Sequence, residues 1–227
     1  MAEVRPGARL LLLRHGQVAS HHGDFPLTDK GRDTAIAAGQ RLGACLRGSL
    51  VVFTGTTLRA RQTAELFVAA ARETSPGARV DDPRVAFALR NPDLYVAGER
   101  VEMVSSAEAL AEQVPTLSPK ECAALPFFAE FIPAPDRIGW WLHHPDPPGD
   151  DAVTVAHRIR VFARSLLDMD SDNAHVFVGI THSPVLRSVG LVFGSGDPGE
   201  PPHLTGLTMD IAGPEALVRV ELCDPFA

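Results

Sequence analysis

Lysine is nearly missing from this chain: of 21 basic residues, only Lys30 and Lys120 are lysines. Acidic residues number 28, so the formal net charge is −7. A chain of that balance lacks the distributed positive surface that a nucleic acid or an anionic membrane requires, and neither is expected as a partner. Cysteine is equally scarce. Cys45, Cys122 and Cys223 are far apart and odd in number, with no CxxC pair. That excludes a disulfide framework and fits a reducing, cytoplasmic setting. Long apolar runs are also missing: the four leucines at 10–13 are too few for a signal-peptide core or a membrane span. No HExxH or paired-aspartate pattern occurs, so neither a metal nor another cofactor is expected. His21-His22 and His143-His144 do not change this, because adjacent histidines point in different directions. No repeat of solenoid period is present.

What remains is the composition of an ordinary globular protein, 45% hydrophobic and 22% charged. At 227 residues the chain is expected to form a single α/β domain over 1–227, with roughly 94–149 as an insertion. Residues 9–13 and 49–54 are short continuous apolar runs, the pattern of strands buried on both faces. Each precedes a helical stripe. The first stripe is Ala35, Ala38, Leu42, Cys45 and Leu46, with Thr28 as the N-cap; the second is Ala60, Ala64, Phe67 and Ala71. A third stripe, Val155, Ile159, Phe162 and Leu166, leads into another buried strand at 175–180. Residues 204–211 and 216–222 read as an antiparallel pair about Gly213-Pro214. Strand–helix alternation of this kind predicts a three-layer α/β sandwich, with a mostly parallel central sheet and helices on both faces. The insertion is expected near the active-site face. Its aromatic residues, Trp140-Trp141 and those at 127–131, are expected to form an apolar underside.

Three strand ends carry polar residues where an open α/β sheet places its ligand. They are Arg14-His15-Gly16, the segment around Arg59, and Thr181-His182-Ser183. Arginine supplies planar forks for phosphate oxygens, and histidine serves as nucleophile or acid/base near neutrality. Gly16 is expected to let the backbone approach a phosphate. Two arginines and two histidines together make a tetrahedral-anion site.

These segments, with Asp24-Phe25-Pro26-Leu27-Thr28-Asp29-Lys30-Gly31 and Arg59-Ala60-Arg61-Gln62-Thr63-Ala64, resemble the histidine phosphatase superfamily, the phosphoglycerate-mutase-like family. The resemblance covers roughly 9–72 and 149–222. It implies a phosphatase acting on a small phosphorylated substrate through a phosphohistidine on His15. Arg14 and Arg59 would clamp the phosphate, and His182 would be the second pocket histidine. Substrate contacts are expected from Arg14, Gly16, His21, Arg59, His182 and Ser183. Two alternatives stay open: a mutase-type phosphotransferase and a non-catalytic phosphate-binding module. One departure bears on mechanism. Phe87 stands where many members carry the glutamate that protonates the leaving group, and His182 is followed by Ser183, not by the aspartate of the acid branch. Asp93 is the expected substitute donor, with Glu99 in reserve.

Overall fold

The computed structural model describes residues 8–20, 23–169, 175–211 and 218–223. In chain order, β1 (Ala8–Arg14) leads into α1 (Asp29–Cys45), β2 (Ser49–Thr54) and α2 (Leu58–Thr74), followed by the two-residue strands β3 (Arg79–Val80) and β4 (Arg84–Val85). The middle of the chain opens with the hairpin of β5 (Leu94–Val96) and β6 (Glu99–Val101). Four short helices follow: α3 (Ala107–Gln113), α4 (Pro119–Ala124), α5 (Pro126–Phe131) and α6 (Arg137–Leu142). The chain then returns to the sheet through α7 (Ala152–Ser165), β7 (His175–Thr181), α8 (Ser183–Phe193), β8 (Gly206–Ile211) and β9 (Val218–Cys223). Among the described residues, no helix is long and apolar enough to cross a membrane.

The sheet runs β3-β2-β7-β1-β8-β9, with β4 also paired to β2. Pairing is parallel among β1, β7, β2, β3 and β4, and antiparallel from β1 to β8 and from β8 to β9. This is the expected α/β class, with a mostly parallel central sheet and helices around it. The Gly213-Pro214 turn expected between the last two strands lies outside the described residues. Side chains alternate across a strand, so β1 serves two interiors. Leu10 and Leu12 join the core beneath α7, α8 and the short helices, whereas Leu11 and Leu13 join the core beneath α1 and α2. In β7, Phe177 takes the first side, and Val178 and Ile180 take the second.

Helix α1 begins as the sequence suggests. The Thr28 hydroxyl accepts from the Gly31 amide at 3.0 Å, capping the first turn. Cys45 is a correction to the expected stripe: it is exposed, and the inward positions are Ala35, Ala38, Leu42 and Leu46 with Gly39 and Gly43. Those glycines let α1 lie directly on α2, where a β-carbon on Gly39 would fall 2.2 Å from the Phe67 carbonyl oxygen. Of the expected aromatic underside, Phe128, Phe131 and Trp141 are fully buried. The Trp141 indole N–H donates to the Asp150 carbonyl at 3.1 Å.

Candidate functional site

Register brings the strand ends together. Arg14 pairs with Thr181, and Thr54 with Ile180, so the chain leaves β1, β2 and β7 at the same sheet edge. Three backbone bonds fix the exits: the His15 amide donates to the Thr181 carbonyl, the Gly55 amide to Ile180, and the Arg14 amide to Thr205. Helices α2 and α8 both start at this edge, with Arg59 in the first turn of one and His182 as the N-cap of the other. A helix N-terminus already carries partial positive charge, so a cation there is unfavourable unless an anion joins it.

His15 is almost completely buried. Its Nδ1 lies 2.7 Å from the Gly16 carbonyl oxygen. A carbonyl can only accept, so the neutral ring donates from Nδ1 and carries its lone pair on Nε2. Burial, then the charge of Arg59, and then those of Arg14 and His203, push the imidazole well below its ordinary value of 6.5, against the opposing Gly16 bond. His15 is therefore neutral at physiological pH. In an NMR titration its midpoint is expected below 6.5, and Arg59→Ala should move it upward by removing a positive neighbour. A midpoint at or above 6.5 in the unsubstituted protein would contradict this electrostatic account.

The arginines flank this ring. Arg14 donates from Nη1 to the Pro201 carbonyl at 2.7 Å, and its Nη2 lies 2.6 Å from Glu200 Oε1. Arg59 faces Asp24 at 3.5 Å. Both guanidiniums are buried, and desolvation lowers their values against the pull of Glu200 and Asp24. Their Nε–H groups are shielded from solvent and meet no acceptor among the described residues. A buried cationic donor left in that condition is costly, and an anion relieves it. The His182 ring centroid lies 5.2 Å from that of His15. Together Arg14, His15, Arg59 and His182 line a cavity of about 390 Å³. Met103, Val104, Phe131 and Ile138 supply its apolar wall, and Arg137 also lines it.

The remaining expected residues have other placements. Gly16 is not in the cavity wall. Its amide donates to Thr63 Oγ1 at 2.9 Å, and a β-carbon there would lie 2.9 Å from the Gly31 carbonyl oxygen. Its smallness serves the approach of α1, with the Thr63 hydroxyl passing the link on to the Arg59 carbonyl. Ser183 does line the cavity, and its hydroxyl donates to Glu200. His21 lies outside the described residues. Asp93 is a correction. It does not line the cavity, and Arg90 and Arg100 bracket its carboxylate and hold it below the usual carboxylate range despite its burial. A carboxylate kept ionised by two guanidiniums cannot give up a proton it does not hold. Glu99, on the β5–β6 hairpin, is exposed and also outside the cavity. Phe87 is exposed, with the Arg90 guanidinium 4.1 Å over its ring. Sequence reasoning missed Glu200, Asp136 and Arg137, all of which line the cavity. No local pattern marks them.

Comparison with known proteins bears on the fold. Residues 10–79 match the model of the histidine phosphatase superfamily (branch 1). A mycobacterial glucosyl-3-phosphoglycerate phosphatase superposes with a TM-score of 0.60 at 19% identity, over 95% of this chain and 97% of that one. A phosphoglycerate mutase from Bacillus anthracis str. Sterne gives 0.61 at 16% identity, over 97% and 94% of the two chains. A mycobacterial hydrolase gives 0.59 at 20% identity, over 96% and 97%. At these identities the likeness is one of fold. None of the curated proteins compared matches the chain.

Proposed function

We propose that this chain, with its histidine phosphatase signature and its phosphatase- and mutase-like fold, hydrolyses a small phosphomonoester through a phosphohistidine on His15. The observation that carries the reading is the pair of buried arginines, Arg14 and Arg59, whose Nε–H donors meet no acceptor among the described residues, beside a neutral imidazole. A phosphoryl group seated between them meets cationic forks on its equatorial oxygens, and the Nε2 lone pair of His15 is the nucleophile. The reaction then divides into two in-line displacements. The ester oxygen leaves as the N–P bond forms, and water later breaks that bond and releases inorganic phosphate. The neighbouring fold gives independent support, since the mycobacterial glucosyl-3-phosphoglycerate phosphatase is also described in complex with inorganic phosphate. The apolar wall of the cavity gives room for an organic leaving group larger than a methyl ester.

Incubation with a ³²P-labelled phosphomonoester, drawn from a broad panel, tests this. The protein should acquire base-stable, acid-labile label and release inorganic phosphate. Phosphate exchange between two organic acceptors would identify a mutase instead. Binding of phosphate with neither label nor hydrolysis would leave a phosphate-binding module.

A further inference from the structure

Among the described residues, two carboxyl groups line the cavity, Asp136 and Glu200. Asp136 is committed elsewhere. The guanidinium of Arg187 grips both its oxygens at 2.7 Å, and together with the Gly139 amide this holds it at about 2. Glu200 is differently placed. Its side chain is half exposed, Oε1 lies on Arg14, and Oε2 accepts from the Ser183 hydroxyl. The segment that carries it is pinned on both sides. Asp197 holds Arg187, and the Gly199 amide donates back to Asp197 from a left-handed backbone at φ +71°. Beyond Glu200, Pro201 accepts from Arg14, His203 Nδ1 donates to the His15 carbonyl at 2.8 Å, and the Leu204 amide donates to that of Arg14. The carboxylate is thus fixed at the cavity by anchors within a few residues in each direction.

We propose that Glu200 is the proton donor to the leaving group, the role left vacant by Phe87 and by Asp93. This rests on the phosphatase reading above and assigns a further catalytic residue within it. The carboxylate and an incoming phosphate compete for the same donors, Arg14 and Ser183. A phosphate dianion that takes Arg14 and Ser183 frees both oxygens of the Glu200 carboxyl group beside the departing ester oxygen. Facing groups are Arg14 from β1, Ser183 from α8 and His203 from the carboxylate's own segment. In the first displacement the P–O bond breaks as His15 Nε2 bonds to phosphorus, and the Glu200 proton passes to the departing oxygen, giving the free alcohol. In the second, the water oxygen bonds to phosphorus as the Glu200 carboxylate takes its proton, and the N–P bond breaks with its electron pair returning to His15 Nε2, which releases inorganic phosphate.

The test compares leaving groups. Glu200→Gln should lower kcat/KM for alkyl phosphates about 10²–10³-fold while changing p-nitrophenyl phosphate by less than about fivefold, because nitrophenolate departs without a proton. Glu200→Asp should recover part of the alkyl activity. Unchanged melting temperature and phosphate affinity no weaker than in the unsubstituted protein establish that fold and anion site are intact. Equal effects on both substrates would overturn the assignment, as would faster turnover of both, which would make Glu200 only a counter-ion competing for Arg14. The underlying reading fails separately, through an unsubstituted protein that neither labels nor hydrolyses.

Discussion

Replacement of His15 by alanine should abolish covalent labelling and lower turnover by about 10⁴-fold or more, the scale seen when a nucleophile is removed from a cooperating site. The size follows from what the ring supplies. No other described side chain presents a neutral imidazole lone pair between two buried guanidiniums, so its loss removes the covalent route itself. His182→Ala removes a neighbouring group and is expected to cost only about 10²–10³-fold. The two effects are separable because His15 is held by a local bond to the adjacent carbonyl, so alanine leaves Arg14 and Arg59 in place. Calorimetry with inorganic phosphate should therefore still detect binding to His15→Ala, while ³²P transfer falls to background. Label retained in that variant would move the nucleophile elsewhere.

The second large effect is on stability. Arg187 is 2% exposed, in the buried stretch of α8, and it makes paired contacts with both Asp136 and Asp197. Together these bonds join α6, α8 and the segment that carries Glu200. Arg187→Ala leaves a cavity and two carboxylates without their cation, and is expected to cost about 3–5 kcal/mol. For a domain of this length that corresponds to a fall in melting temperature of roughly 6–20 °C. The sign of its pH dependence follows from the carboxylates. Arg187 depresses both, Asp136 to about 2. Stability from a depressed carboxylate is present above the ordinary value of 3.8 and is given up as pH falls toward 2. The gap in melting temperature between the two proteins should accordingly be widest near neutrality and narrow on acidification. A gap that stayed constant on acidification would show that the loss is one of packing alone.

The fold was legible where its elements are regular. The leucines of β1, the caps and stripes of α1 and α2, and the run in β7 all state their periods locally, and from them follow the sheet edge and the grouping of Arg14, His15, Arg59 and His182. Less could be read where placement depends on distant partners. The β5–β6 hairpin has three residues per strand and turns through Ala97 and Gly98 at φ 50° and 85°, without the Asn-Gly that would announce it. Cys45 fitted the helical period but falls at the exposed end of α1. Asp93 suits a donor's place by its turn, yet Arg90 lies three residues before it and Arg100 seven after it, and these decide its charge state. Glu200 reaches the site only because the chain folds back on Ser183 and Arg14. Arg187 did leave a trace: a single cation within an apolar helix needs buried counter-charges, although the sequence does not say which.

Because β1 divides two interiors, its leucines also act as a ruler for the nucleophile. A slip of one residue against β7 would turn Leu10 and Leu12 into the space shaped for Leu11 and Leu13. It would also shift Arg14 and His15 by about 3.3 Å along the strand, more than the length of a hydrogen bond. The packing penalty for that slip is paid on both faces of the sheet at once. The aim of His15 is set as much by four leucines ahead of it as by any group it touches.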